Sequence, residues 1–549
     1  MLAGEPAVSP VSGGGRLRAK RVLEFVREHW YALGVAALTV GLGAFLLSRI
    51  QAWPPHEDET LVLFVSRQPL GDLFATVISE RGGAPLHFLL AHLVATVSSG
   101  LTGLRMISIV FAVASVPVVA ALAAKLTDRR TALVAIALVT TSWMTVYHGL
   151  YGRMYGLFLF ASALSFLLLL YALDDRRPRT WALWAVASLA AIATQPYGAL
   201  VVGVQAMYVA IRRWRAPFDV RPAAVAFAAV ALVALPLWVS YRVLASRFEI
   251  GVIGEGNSKL GSPLDVLAYL GETAGDFTVG WTAVTVLVGV VALLGLVALA
   301  RTKPQAALLT VLVLVVPALA LMAVRSGSSL GLESRHLIFA LPFFALLVAV
   351  GLVRVTALAG RAAPVVLALA VVALAAGEIA WGWHKTPALY GGENPQRTRA
   401  REEASTWLAE TSRSNDVLLG YEPLYLDAAN KGAPFGDVLV PRADPRLMLA
   451  ALQDAEQPLG RGVWVFDATD DQDPDKRRFT IPARSPGEGF EARAFGPFLV
   501  VRTTEDMRTP ERFVRLTIDV ELVGRQLRIG DAGLNLSTAL KALRRLEAG

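Results

Sequence analysis

Ala84-Pro85-Leu86-His87-Phe88-Leu89-Leu90-Ala91-His92-Leu93-Val94-Ala95-Thr96-Val97-Ser98-Ser99 is apolar but short for a membrane crossing and carries two histidines. A spanning helix needs roughly 20 apolar residues. Eleven other apolar runs surround it, near 30–50, 106–124, 131–148, 155–173, 181–195, 198–211, 223–243, 279–300, 306–324, 336–353 and 364–383. Whether 84–99 spans decides which side every later loop occupies. Arg16, Arg18, Lys20, Arg21 and Arg27 precede the first run and place the N-terminus inside. If 84–99 does not span, the loops holding Lys125/Arg129/Arg130, Arg176/Arg177/Arg179, Arg212/Arg213/Arg215/Arg221, Arg301/Lys303 and Arg354/Arg361 all lie inside as well. If it spans, all five move outside. Five concordant loops outweigh one short helix, so 84–99 reads as an interfacial or re-entrant segment on the outer face. About eleven helices then span.

Composition agrees with this class. The 549 residues are 55% hydrophobic and 17% charged, with a mean hydropathy of +0.52; soluble chains carry roughly a quarter charged residues. The net charge of +8 and pI near 9.7 come from the short basic loops. That is a mark of topology and argues against nucleic acid as a partner. There is no cysteine, which excludes disulfides and thiolate metal sites. No signal peptide is evident, because the first apolar run is too long and lacks a small-residue cleavage site.

The expected organisation is a cytoplasmic basic tail over 1–29 and an all-α polytopic membrane domain over 30–383 with an outer-face loop at 51–105. A small soluble α/β domain over 384–549 follows outside, with strand-like runs at Asp416 to Leu419, Val463 to Phe466 and Phe498 to Val501. Helical stretches are expected at 398–411 and 444–455, and a basic helix near 536–547.

On this topology the unusual polar residues gather outside. They are His56, Glu57, Asp58 and Glu59, then Glu80, Arg81 and His87; His148, Tyr151, Arg153 and Tyr155; and Glu333, Arg335 and His336. Ionisable groups near membrane depth are costly and usually face a cavity or a partner. Plainer readings stand beside this one. Acids after Pro54-Pro55 also suit a helix N-terminus. Arg153 and Arg335 also suit snorkelling at helix ends, and His87 and His92 a simple interfacial position.

Five local features resemble the GT-C superfamily of membrane glycosyltransferases, which includes protein O-mannosyltransferases and lipid A aminoarabinose transferases. They are Asp58-Glu59-Thr60, Gly83-Ala84-Pro85-Leu86-His87-Phe88-Leu89-Leu90, Leu104-Arg105-Met106-Ile107-Ser108, Gly152-Arg153-Met154-Tyr155 within Tyr147 through Tyr155, and Ser334-Arg335-His336-Leu337 with the later Pro342. The order and the shared face match the superfamily. Gly83-Ala84-Pro85 departs from it, because the family's acid-Lys-Pro or His-Pro-Pro there supplies a carboxylate or metal ligand that this chain lacks.

The resemblance implies an inverting glycosyltransferase in the cytoplasmic (inner) membrane, moving a hexose or pentose from a polyprenyl-phosphate donor to a protein, lipid or glycan hydroxyl. Asp58 is then the expected base with a near-normal pKa, and Glu59 its catalytic neighbour, orienting acceptor or tuning Asp58. Arg153 and Arg335 would bind donor phosphate, with Glu57, His87, Tyr155 and His336 in support. No cofactor is firmly implied; a divalent cation on Glu57, His56 and His87 stays open. A transporter or flippase of lipid-linked glycans and a non-catalytic envelope assembly protein are the competing classes.

Overall fold

A computed structural model describes residues 13–80, 84–98, 100–239, 262–325, 333–435, 439–440, 445–453, 455, 458–468 and 489–513. The expectations at Arg81, at the Glu80 side chain, at Gly83 and at 536–547 fall outside these residues.

The chain opens with α1 (Gly13–Arg49). Three short helices follow: α2 (Glu57–Ser66), α3 (Leu70–Glu80) and α4 (Pro85–Ala95). The 11 residues of α4 reach about 16 Å, half of the ~30 Å that a span must cover. It lies against α2 and the long α5 (Leu101–Leu126) through Phe88, Ala91, Leu104 and Ile107. The helix at 84–99 is therefore too short to cross.

Next come α6 (Arg129–Thr141) and α7 (Trp143–Leu150), bent by 54° at Ser142. Asp128 starts α6 by accepting from the Arg130 and Thr131 amides. The bundle continues through α8 (Tyr155–Asp175), α9 (Pro178–Thr194), α10 (Gly198–Arg215) and α11 (Arg221–Val233). Then follow α12 (Pro263–Phe277), α13 (Thr282–Thr302) and α14 (Pro304–Arg325). A 3-10 turn over Ser334–Ala340 leads into α15 (Leu341–Thr356), and α16 (Ala363–Lys385) completes the bundle. Helices α13 and α15 approach closely where Gly295 faces the Leu347 carbonyl and Gly351 the Val291 carbonyl; a Cβ at either would lie within about 2 Å of that oxygen.

The protein is a multi-pass membrane protein. Among the described residues five helical runs are long and apolar enough to cross a bilayer, or six if the bent α6–α7 pair is one span. One of the five, Ser334–Lys385, is broken at Gly360, where φ is +56°. Pro85–Ala95, Arg221–Val233 and Pro304–Ala320 are apolar but shorter.

Beyond α17 (Pro387–Gly391) and α18 (Pro395–Thr411) lies a five-stranded sheet. Its strands are β1 (Val417–Leu419), β2 (Leu439–Val440), β3 (Gly462–Asp467), β4 (Phe490–Phe495) and β5 (Phe498–Thr503), in the order β2-β1-β3-β5-β4. The β2-β1-β3 ladder is parallel, with α19 (Pro423–Asn430) and α20 (Pro445–Gln453) flanking β2 in the chain, whereas β5 pairs antiparallel with both β3 and β4. Strands occur at the three strand-like runs named from the sequence. One face of the sheet packs Trp407, Leu424 and Tyr425, with Phe64 of α2 against that cluster, while Leu426 of α19 packs with Val62 and Leu63. The sheet unit thus rests on α2.

Candidate active site

Helix α2 begins at an N-cap built by His56. Its Nδ1 accepts from the Asp58 amide at 3.1 Å, and Glu59 Oε2 accepts from the His56 amide at 3.1 Å. This reciprocal cap fixes the directions of three consecutive acids. Successive residues of a helix point about 100° apart, so Glu57, Asp58 and Glu59 face three environments.

Glu57 is exposed in the first turn, where a carboxylate complements the helix dipole. Glu59 turns inward. Its Oε1 accepts from Arg105 Nε at 2.9 Å and from the Gly152 amide at 2.8 Å, and its Oε2 accepts from Arg105 Nη2 at 2.8 Å. Both side chains are 0% exposed. Arg105 also donates to the carbonyls of Ile50, Trp53 and Pro54 and sits over the Trp53 ring. A Cβ at Gly152 would meet Glu59 Oε1 at 2.9 Å, so glycine is what lets that amide reach the carboxylate. The geometry corrects the role expected for Glu59: with every lone-pair direction engaged by an internal donor and no exposed surface, it ties the loop to α5 and cannot meet an acceptor.

Asp58 faces the opposite way and keeps 29% of its side chain exposed. Tyr151 Oη donates to Asp58 Oδ2 at 2.6 Å and lies 3.1 Å from His56 Nδ1. Arg153 Nε lies 3.8 Å from the same Oδ2, close enough for an ion pair and too far for a hydrogen bond. Burial pushes the Asp58 carboxyl up, but the Arg153 guanidinium, His56, Arg335 and the Tyr151 hydroxyl outweigh it and hold the group well below the usual carboxylate range. The near-normal value expected for Asp58 is corrected accordingly.

Arg153 sits in the break between α7 and α8, and its carbonyl accepts from Ser108 Oγ at 3.0 Å. Its side chain is 14% exposed, and its buried Nε and Nη1 make no hydrogen bond. Arg335 arrives from the 3-10 turn, with its guanidinium 5.3 Å from the Tyr155 ring centroid and its Nη2 donating to Glu333 at 2.5 Å. Its Nε is also buried and unpaired. Arg153 lies against Asp58, and the charge of Arg335, held over the Tyr155 ring, also reaches Asp58.

His87 on α4 is 1% exposed, and neither ring nitrogen is hydrogen-bonded. Burial and the Arg153 charge push its imidazole down to about 3, against a weaker opposing pull from the Gly152 backbone. It is neutral at physiological pH. His336 Nδ1 accepts from the Glu333 amide at 3.2 Å and its ring stands 4.8 Å from Tyr197, which makes it a cap of the 3-10 turn. Tyr155 lies 4.7 Å from His148 and carries Arg335 on its face. No three His, Asp or Glu side chains gather as metal ligands among the described residues. The set Glu57, His56 and His87 is not assembled: His56 Nδ1 takes an amide, Glu57 is exposed, and His87 stands beside a cation.

The His87 environment has a pH consequence. Below its ordinary value of 6.5 an unfolded His87 protonates, while the folded group stays neutral to about 3. The unfolded state then binds more protons, so stability falls as pH drops through that window, by up to about 1.4 kcal/mol per pH unit. Asp58 adds the same sign below its ordinary 3.8. His87→Phe should flatten the fall between pH 6.5 and 3, read as unfolding temperature against pH. An unaltered slope would show that His87 is not buried as a neutral ring.

Arg105, Asp276 and Lys385 are absent from the sequence-based site. Arg105 had a signal, a lone cation at the start of an apolar helix. Asp276 and Lys385 had none, because their relation depends on packing between α12 and the end of α16.

Comparison with known proteins bears on this geometry. A family model described as Dolichyl-phosphate-mannose-protein mannosyltransferase matches residues 82–240. The structure of ArnT from Cupriavidus metallidurans in the apo state aligns with a TM-score of 0.51 at 14% identity, covering 87% of this chain and 98% of that one. ArnT bound to undecaprenyl phosphate gives 0.51 at 15% identity, over 86% and 98%. The oligosaccharyltransferase AglB from Archaeoglobus fulgidus, in complex with an inhibitory peptide and a dolichol-phosphate, gives 0.50 at 11% identity, over 80% and 69%. No curated protein sequence matches the chain significantly. At such identities the likeness is one of fold. The chain has the GT-C fold, and the resemblance read from its motifs is borne out.

Proposed function

We propose that this protein is an inverting glycosyltransferase that moves a sugar from a polyprenyl phosphate to an acceptor hydroxyl at the outer face of the cytoplasmic membrane. The N-terminus lies inside, and the sheet unit outside. The observation that carries the reading is a partly exposed carboxylate, Asp58, ion-paired at 3.8 Å with Arg153 and within reach of the Arg335 charge, both arginines keeping buried N–H groups without a hydrogen-bond partner. Unsatisfied buried donors are rare and call for a partner. A phosphate offers oxygens that guanidinium forks grip in pairs.

In the proposed step the acceptor oxygen attacks the anomeric carbon opposite the phosphate. The carbon–oxygen bond to the acceptor forms as the bond to phosphate breaks, the proton passes to Asp58 Oδ1 or Oδ2, and polyprenyl phosphate leaves with both electrons of the broken bond. Charge grows on the leaving phosphate, so Arg153 and Arg335 stabilise the transition state more than the ground state. A bound phosphate also offsets the two cations that depress Asp58, which brings the carboxylate nearer to a useful base. Neutral His87, beside Arg153, adds a hydrogen-bonding edge to the same region. The acceptor is a protein, lipid or glycan hydroxyl, and the sheet unit resting on α2 is a natural place to present it.

The test is a panel of radiolabelled polyprenyl-phosphate sugars offered to the purified protein and scored for lipid-phosphate release. Release from at least one donor is expected, and none across the panel counts against the reading. Arg335→Ala removes one charge-assisted contact worth about 1.5–3 kcal/mol, so affinity for undecaprenyl phosphate should weaken about 10- to 100-fold. Unchanged affinity would remove Arg335 from the phosphate site.

A further inference from the structure

Among the described residues the Arg335 guanidinium has one ion-pair partner, Glu333, whose carboxylate is 46% exposed and two residues away, besides the Tyr155 ring it lies over. Such a contact holds an arginine weakly. The backbone that carries Arg335 is held much more firmly, and from a single helix. Tyr269 Oη, in the middle of α12, donates to the Glu333 carbonyl at 3.2 Å. Asp276, near the end of α12, accepts from Ser334 Oγ at 2.5 Å. These two bonds clasp the two residues immediately before Arg335.

Asp276 is itself immobilised. It is 1% exposed, its Oδ1 pairs with Lys385 Nζ at 2.5 Å, and its carbonyl accepts from Ser142 Oγ at 3.3 Å. Lys385 stands 3.9 Å from the centroid of the Trp143 ring, whose Nε1 donates to Thr386 Oγ1 at 3.0 Å. One buried residue therefore joins these elements: the Asp276 carboxylate ties α12 to the 3-10 turn and the end of α16, and its backbone carbonyl ties α12 to the α6–α7 bend. A buried charge at that crossing is costly, and a plain apolar contact would hold the helices as well. What the carboxylate adds is a directional hold on Ser334.

We infer that α12 is the positioning element for the phosphate-binding arginine, with Asp276 and Tyr269 as positioning residues that act through Arg335. This rests on the proposed phosphate role of Arg335. Neither residue touches the substrate; they set the direction in which the guanidinium reaches it.

The experiment measures binding of undecaprenyl phosphate to the purified full-length protein in detergent, for the Ser334→Ala/Tyr269→Phe double variant with and without Arg335→Ala. Both changes remove only a hydroxyl and leave the Asp276–Lys385 pair intact. The double variant should bind about tenfold more weakly, since two hydrogen bonds that orient the arginine are gone. It should add little to Arg335→Ala, because residues that act through a third lose their effect with it. Wild-type affinity in the double variant overturns the inference, and so does a loss that adds in full to that of Arg335→Ala. If Arg335→Ala itself binds as the wild type does, the phosphate reading fails, which is a different result. Asp276→Asn is the second probe; its loss should also vanish in the Arg335→Ala background, and an additive loss counts against the positioning role.

Discussion

Asp58→Asn is expected to lower transfer by about 10²–10⁴-fold, the range that a positioned general base contributes, while the protein still folds and still binds lipid phosphate. The folding half follows from geometry. Asparagine keeps an oxygen that can accept from Tyr151 Oη, and the helix cap uses the Asp58 amide and not its side chain. The binding half follows from charge. Asp58 lies 3.8 Å from Arg153 Nε and competes with any anion for that guanidinium. Removing the carboxylate frees Arg153 of its competing anion, so affinity for undecaprenyl phosphate should hold or tighten as turnover collapses. That opposite movement is the signature of a base beside a phosphate site. Turnover near wild type would end the base assignment, whatever happened to binding.

The approach of Asp58 to Arg153, within reach of the Arg335 charge, could be anticipated in the chain because topology can be counted. Basic loops set an expected parity, and that parity assigns a first-loop acid, the turn after α7 and the turn before α15 to one side. The division of labour between Asp58 and Glu59 was not legible. Neighbouring residues of a helix diverge, and which of them faces inward depends on Arg105, 46 residues away, and on the Gly152 amide, 93 residues away. Local propensity is silent on such pairs. The same holds for Asp276 and Lys385, 109 residues apart, whose contact exists only because α12 packs where α16 ends. The shape of the spans has another cause. Hydropathy sees apolar runs but not the 54° bend at Ser142 between α6 and α7.

Glu59→Ala should cost about 3–5 kcal/mol, as expected when one member of a buried ion pair is removed and the other stays. Domains are stable by only about 5–15 kcal/mol, so the variant should express poorly or unfold at a much lower temperature. The loss has named parts. Arg105 keeps its carbonyl acceptors at Ile50, Trp53 and Pro54 but has no counter-charge, while the Gly152 amide loses its acceptor and His56 its half of the cap. If the pair is structural, Glu59→Ala with Arg105→Met should be less damaged than the sum of the single variants, because no stranded charge is left. Thermal unfolding of the purified proteins measures this coupling directly. The competing outcome is specific: Glu59→Ala that unfolds at the wild-type temperature and has lost turnover would return Glu59 to the chemistry beside Asp58. Full burial and an engaged carboxylate argue for the first result, because an acceptor hydroxyl can reach neither oxygen of Glu59 without displacing Arg105 or the Gly152 amide.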